Sequence, residues 1–103
     1  MAAAIEVPTL VDVMAELAAR GFTEQFMLAG DRLRAVQSGK LSTPDEVRLV
    51  EFYRFEGVSD PDDMAILYAL ETRGGVRGTL ADAFGVYAEP GVGAFMEKVR
   101  RPR

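Results

Sequence analysis

The chain has 103 residues, of which 16 are acidic and 12 are basic, and its formal net charge is −4. It contains no cysteine and no histidine, which excludes thiolate nucleophiles and removes the commonest general base and transition-metal ligand. The negative charge argues against binding to nucleic acid, and no apolar run reaches the ~20 residues of a transmembrane helix. We therefore expect a soluble, cytoplasmic protein without a cofactor, a membrane partner or a nucleic-acid partner.

The first predicted element is an amphipathic helix from about Leu10 to Arg20. Thr9 is suited to cap its N-terminus, and Gly21 stands where a glycine often ends a helix. Glu16 and Arg20 are spaced for an ion pair on the exposed side. Hydrophobic residues recur at helical spacing on one face: Leu10, Val13, Met14 and Leu17. This pattern is typical of a helix that packs one face against a sheet.

The next part of the chain predicts an antiparallel sheet of about five meandering strands. The five predicted strands are residues 22–28, 33–36, 47–56, 64–70 and 76–83. Pro44 suits the first position of a single helical turn before the third strand. Gly75 fits the tight turn before the last strand, and Gly78 indicates a bulge or a close backbone approach. The small alanines of the fourth strand would let the first helix approach closely. The predicted fold class is α+β.

The third predicted strand mixes charged and hydrophobic residues on both faces if its side chains alternate strictly. Together with the two following strands it supplies a candidate ligand-binding set. The six residues of this set are Glu51, Tyr53, Arg54, Glu56, Tyr68 and Asp82. Carboxylate, phenol and guanidinium groups can bind a small anionic or polar molecule. Cross-strand ion pairing explains the same residues without a ligand, and both interpretations stay open.

The acidic turn at residues 59–63 is a weaker candidate for a metal site. Asp60, Asp62 and Asp63 are close in sequence and have the oxygen ligands that Mg²⁺ and Ca²⁺ prefer. However, the spacing lacks the glycine and the distant glutamate of an EF-hand loop. Serine, aspartate and proline together account for a tight turn. We therefore expect a structural turn and no metal ion.

The chain is predicted to be a single globular domain, 1–103, with a core at 9–87 and a C-terminal segment at 88–103. That segment forms a short helix from about Val92 to Arg100, followed by a basic tail. Its apolar anchors are Phe95, Met96 and Val99. One helix cannot cover both faces of a sheet, so the segment would cover the second face within the chain or across a two-fold axis. We expect the second arrangement, in a homodimer.

Three stretches of the sequence resemble a known protein family. They are GFTEQFML, FYRFEGVSDPDDMAILYALE and GTLADAFGVYAE, and YRFEG followed by SDPDD is their most distinctive part. They are similar to small bacterial proteins that often carry the name phosphoribosylpyrophosphate synthetase, over roughly Val11 to Glu89. The ATP-binding flag region, the catalytic basic residues and the pentose-phosphate loop of a true synthetase have no counterpart here. The resemblance therefore implies a family and transfers neither an activity nor a catalytic residue.

The function predicted from the sequence is that of a small non-catalytic interaction or scaffold module, acting as a homodimer. Its size and the lack of histidine and cysteine favour this interpretation. The alternative is a binding protein or minor enzyme for a small anionic or phosphorylated metabolite, using the six-residue candidate set.

Overall fold

A computed structural model describes residues 10–55, 65–83 and 90–99. The elements in these ranges are α1 (Leu10–Ala19), β1 (Glu24–Ala29), β2 (Arg32–Ala35), β3 (Leu41–Ser42), a 3₁₀ turn (Pro44–Glu46), β4 (Val47–Phe55), β5 (Ala65–Thr72), β6 (Arg77–Ala83) and α2 (Pro90–Lys98). They confirm the predicted α+β class. Neither α1 nor α2 has the length and apolar character that crossing a bilayer requires. The predicted cap Thr9 and the acidic turn 59–63 lie outside the described residues.

The sheet is mixed and has six strands in the order β3-β2-β1-β6-β5-β4. Two antiparallel meanders, β1–β2–β3 and β4–β5–β6, are joined by parallel pairing between β1 and β6. The prediction of one antiparallel meander with about five strands is therefore wrong at this junction. The additional strand, β3, has only two residues and is too short to show a hydrophobic period in the sequence.

The two edge strands of the sheet are close neighbours in sequence. β3 ends at Ser42 and β4 begins at Val47. In a flat sheet these edges would lie five strand spacings apart, about 24 Å. A connection this short reaches at most about 18 Å. The sheet must therefore be strongly bent, so that side chains from both meanders can meet on its concave face.

Each face of the sheet has its own core. α1 covers one face, where the buried residues are Val13, Leu17, Phe22, Leu67 and Ala69. Leu67 and Ala69 belong to β5, so the predicted approach of the first helix to this strand is confirmed. α2 covers the other face in a larger core that draws on both meanders. Its buried residues are Phe26, Leu33, Ala35, Val47, Leu49, Leu70, Leu80, Val92, Phe95, Met96 and Val99.

α2 packs on the sheet of its own chain. Phe95, Met96 and Val99 are each at most 5% exposed in this single chain. They anchor the short C-terminal helix, as predicted. The expectation that they cover a partner's sheet is corrected by this packing, because they already cover their own. The homodimer stays a prediction, and it needs a different contact surface.

β4 contains a β-bulge at Val50, which corrects the strict alternation expected for this strand. Leu49 pairs with Leu70 of β5. Glu51 pairs with Ala69, the very next residue along β5, so Val50 is extra. Before the bulge, Val47 and Leu49 enter the core under α2; at or after it, Val50, Tyr53 and Phe55 pack against the core under α1. The bulge changes which residues of β4 share a face, and each face still carries charged residues beside hydrophobic ones.

The parallel junction between β1 and β6 depends on Gly78. This residue pairs with Glu24, and a Cβ atom at Gly78 would lie 2.1 Å from the Glu24 carbonyl oxygen. The close approach predicted at this glycine is therefore confirmed. The buried Glu24 carboxylate accepts hydrogen bonds from the backbone N–H groups of Gln25, at 2.9 Å, and Gln37, at 3.2 Å. The bond from Gln37 connects the turn after β2 to the junction.

Substitution of Gly78 by alanine tests this junction. We expect Gly78→Ala to lower the free energy of unfolding by about 1–3 kcal/mol or more, because β1 and β6 must separate to make room for a methyl group. Urea denaturation followed by circular dichroism measures the change. The matched control is Gly93→Ala in α2, where no atom lies within 4 Å of the added Cβ. This control should raise stability by about 0.5–1 kcal/mol. Wild-type stability of Gly78→Ala would contradict the role of the junction.

Candidate functional site

Arg20, Glu51 and Tyr53 form a polar cluster where α1 ends over β4. Arg20 directly follows α1, and the other two residues lie on one face of β4 beyond its bulge. The Arg20 Nη1 group donates a hydrogen bond to Glu51 Oε2 at 3.2 Å, and Nη2 donates to Oε1. The Tyr53 hydroxyl donates to Glu51 Oε2. The Arg20 side chain therefore pairs with Glu51, not with Glu16 as the sequence predicted.

These contacts set the protonation states of the cluster. Hydrogen bonds from Arg20 and then from Tyr53 hold the pKa of the Glu51 carboxyl below its ordinary value. The hydrogen bond to this carboxylate in turn raises the pKa of the Tyr53 hydroxyl. At neutral pH the cluster consists of a guanidinium, a carboxylate and a protonated phenol, each satisfied by the others. These hydrogen bonds connect the end of α1 to β4, and we call Arg20, Glu51 and Tyr53 the α1–β4 clamp.

The candidate ligand-binding set from the sequence is divided between the two faces of the sheet. Glu51 and Tyr53 face α1. Register and strand alternation place Arg54, Tyr68 and Asp82 on the opposite face. Glu56 lies outside the described residues. No single ligand can contact the five described members of the set together. Arg20, which completes the group facing α1, was missed because its contact joins a helix to a strand 31 positions away.

On the second face, Phe52 and Arg54 stand at the edge of the sheet. Phe52 is 49% exposed, and the Arg54 guanidinium carbon lies 5.9 Å from the centre of its ring. This distance is typical of a cation–π contact. Tyr68, which pairs with Phe52 across the sheet, packs at the margin of the core under α2. We call Phe52, Arg54 and Tyr68 the β4 edge surface.

A ladder of charges crosses β4, β5 and β6. Glu71 is the cross-strand partner of both Arg48 and Arg77. It accepts hydrogen bonds from Arg48 at 2.7 Å and from Arg77 at 2.8 Å. These contacts, chiefly the one from Arg77, lower the pKa of the Glu71 carboxyl. The sequence interpretation missed this ladder because it follows from strand register, although three opposed charges at strand positions were a usable signal.

A cavity of about 320 Å³ adjoins this ladder and the 3₁₀ turn. Part of its polar lining is engaged within the protein, since Arg48 and Glu71 bind each other and Glu46 accepts a hydrogen bond from the Thr43 N–H at 2.9 Å. Across the described ranges, no group of three acidic side chains is placed to hold a metal ion. The weak metal candidates Asp60, Asp62 and Asp63 lie outside those ranges.

Comparison of the chain with protein-family models, with curated proteins and with solved structures gives no match. The resemblance to the small proteins called phosphoribosylpyrophosphate synthetase therefore stays a prediction.

The clamp predicts how stability depends on pH. Folding lowers the pKa of Glu51, so the ionised carboxylate stabilises the folded state. This contribution to the free energy of unfolding is complete above the unfolded-state pKa of about 4.3 and is lost as the pH falls through the folded-state pKa. We expect Glu51→Gln to be less stable than wild type at neutral pH, and this difference to disappear in acid. Urea denaturation across this pH range measures it.

A double-mutant cycle with Tyr53→Phe measures the coupling between Tyr53 and Glu51. Removing the Tyr53 hydroxyl should reduce stability less in the Glu51→Gln background than in wild type, because a neutral amide oxygen accepts its hydrogen bond more weakly than a carboxylate does. A difference between Glu51→Gln and wild type that did not change with pH would contradict the interaction.

Proposed function

We propose that this chain is a non-catalytic interaction domain that forms a homodimer through the outer edge of β4. The observation that carries the proposal is the exposure of Phe52 in the middle of a nine-residue strand at the edge of the sheet. An edge strand presents backbone N–H and C=O groups to which a further strand can pair. Aromatic and arginine side chains are also enriched among the residues that dominate binding energy at interfaces.

The β4 edge surface is self-complementary. Phe52 and Arg54 are two positions apart on β4, so they share one face of the sheet. If two β4 strands pair antiparallel about a two-fold axis at Tyr53, Phe52 of each copy lies opposite Arg54 of the other. The cation–π contact present within the chain would then also form between chains, twice. Such an isologous arrangement is closed and limits assembly to two subunits.

The titratable side chains support binding over catalysis. The groups with shifted pKa values among the described residues are Arg20, Glu46, Glu51, Tyr53 and Glu71. Each of them is held by a hydrogen bond or an ion pair inside the fold. A general acid or base needs access to a substrate proton. The division of the five described candidate residues between two faces likewise gives no support to the metabolite-binding alternative.

Mass measurement by light scattering tests the proposal. We expect wild type at micromolar concentration to have twice the 11.2 kDa mass of the chain. Phe52→Arg should give the monomer mass, because it places a second guanidinium opposite Arg54 of the other copy, where like charges repel. The control is Met27→Arg, at a residue that is 55% exposed on β1 and far from the edge strand in the sheet order. A wild-type protein that stays monomeric, or a Phe52→Arg variant that stays dimeric, would refute this interface.

A further inference from the structure

One face of the first meander has no helix over it among the described residues. α1 packs against β4 and β5, and the core beneath it contains no described residue of β1, β2 or β3. On the same face of the sheet, Met27, Arg34 and Leu41 of these three strands form one cross-strand row. The residues that alternate with them enter the core under α2. The row is therefore an open surface beside α1.

This surface collects the exposed hydrophobic side chains of the chain. The described residues include five large hydrophobic side chains that are exposed. Three of them lie on this part of the sheet: Met27, Val36 and Leu41. A fourth is Val11 of α1, which is 72% exposed, and the fifth is Phe52 of the β4 edge surface. Exposed hydrophobic side chains that cluster in this way are typical of an interaction site.

α1 turns an apolar flank toward this surface. Arg20, on one flank of the helix, binds Glu51 of β4. Met14, on the other flank, lines a cavity of about 250 Å³ together with Met27 of β1. The flank on the Met14 side continues with exposed apolar or small residues at helical spacing: Val11, Ala15 and Ala18. Small side chains at these positions allow a second helix to approach α1 closely.

The apolar flank of α1 and the row of Met27, Arg34 and Leu41 form the wall and the floor of what we call the α1 groove. Its floor spans three strands that lie about 4.8 Å apart, so the outer two are about 10 Å apart. An α-helix with its side chains is about 10–12 Å wide, and packed helices lie about 8–10 Å apart. One helix beside α1 would therefore cover the floor from β1 to β3.

Two arginines give the groove a positive charge. Arg34 stands in the middle of the floor, and Arg32, two positions earlier on β2, shares its face. Within the described ranges, neither side chain has a hydrogen bond or an ion pair. β1, β2 and β3 contain one acidic residue, Glu24, and it alternates to the opposite face with Phe26. The floor is thus apolar with unpaired positive charge at its centre, in a chain whose net charge is −4.

We propose that the α1 groove binds an amphipathic helix of a partner protein, which has hydrophobic residues along one face and aspartate or glutamate beside them. Its hydrophobic face covers Met27, Leu41 and Val11, and its carboxylates accept hydrogen bonds from Arg32 and Arg34. A helix of a second copy does not fit, because the apolar faces of α1 and α2 are buried in their own chain. The groove lies away from β4 in the strand order, so this proposal does not depend on the homodimer.

Selection from a displayed library of helical peptides, with the full chain as the target, tests the proposal. The peptides have about 16 residues, or four to five turns, with leucine fixed along one face and random residues elsewhere. We expect the selected peptides to carry aspartate or glutamate next to the leucines. When added to the full chain, they should shift the amide signals of residues 11–18, 25–36 and 41.

Three variants show whether the groove is the binding site. Arg34→Glu should weaken the binding of a selected peptide roughly 10- to 100-fold, as the loss of hydrogen bonds between charged groups implies. Ala18→Gln, which enlarges the wall without adding charge, should also weaken it. The matched control is Lys98→Glu, which changes the net charge equally at an exposed site on α2, over the other face of the sheet. This control should bind the peptide with wild-type affinity.

Each of the following results would overturn the proposal. The selected peptides could show no enrichment of acidic residues, or their affinity could survive Arg34→Glu or fall equally in Lys98→Glu. Amide signals of the groove that move with protein concentration in the absence of peptide would assign it to a second copy. Nuclear Overhauser contacts between the groove and residues 1–9 would assign it to the chain's own N-terminal segment.

Discussion

The contact between Gly78 and the backbone of Glu24 determines how the rest of this chain is arranged. It allows β1 and β6 to run parallel at a separation that no side chain at position 78 would permit. Two antiparallel meanders, each formed by local turns, become one sheet through this pairing. The short connection between β3 and β4 then bends that sheet. The bend creates a concave face with side chains from both meanders, which α2 covers, and leaves the convex face to α1.

Features with a local cause could be predicted from the sequence. Periodic hydrophobic residues predicted α1, and Pro44 predicted the turn before β4. Gly75, at a φ of 87°, closes the turn before β6 as expected. The parallel pairing of Glu24 with Gly78 could not be predicted, because two segments that meet from far apart in sequence leave no periodic signal. The bulge at Val50 was hidden for a related reason, since one extra residue exchanges the faces of the strand.

The candidate site shows the same division between local and distant causes. Glu51 and Tyr53 were placed together correctly because alternate residues of a strand share a face. Arg20 was missed, since its partner is set by the angle at which α1 crosses the sheet. The five described members of the wider set do not come together, because strand alternation assigns them to opposite faces. Described members of this set take part in a hydrogen-bonded cluster with Arg20 on one face and in an exposed aromatic–arginine surface on the other.

Native-state hydrogen exchange measures directly whether the junction unites the two meanders. If the contact between Gly78 and Glu24 makes them one cooperative unit, the most protected amides of β1 and β2 should exchange with the same opening free energy as those of β5 and β6. That value should equal the free energy of global unfolding from denaturation. A clearly lower opening free energy for β1 and β2 would mean that the first meander unfolds while the second stays folded, and would contradict the central place given to this junction.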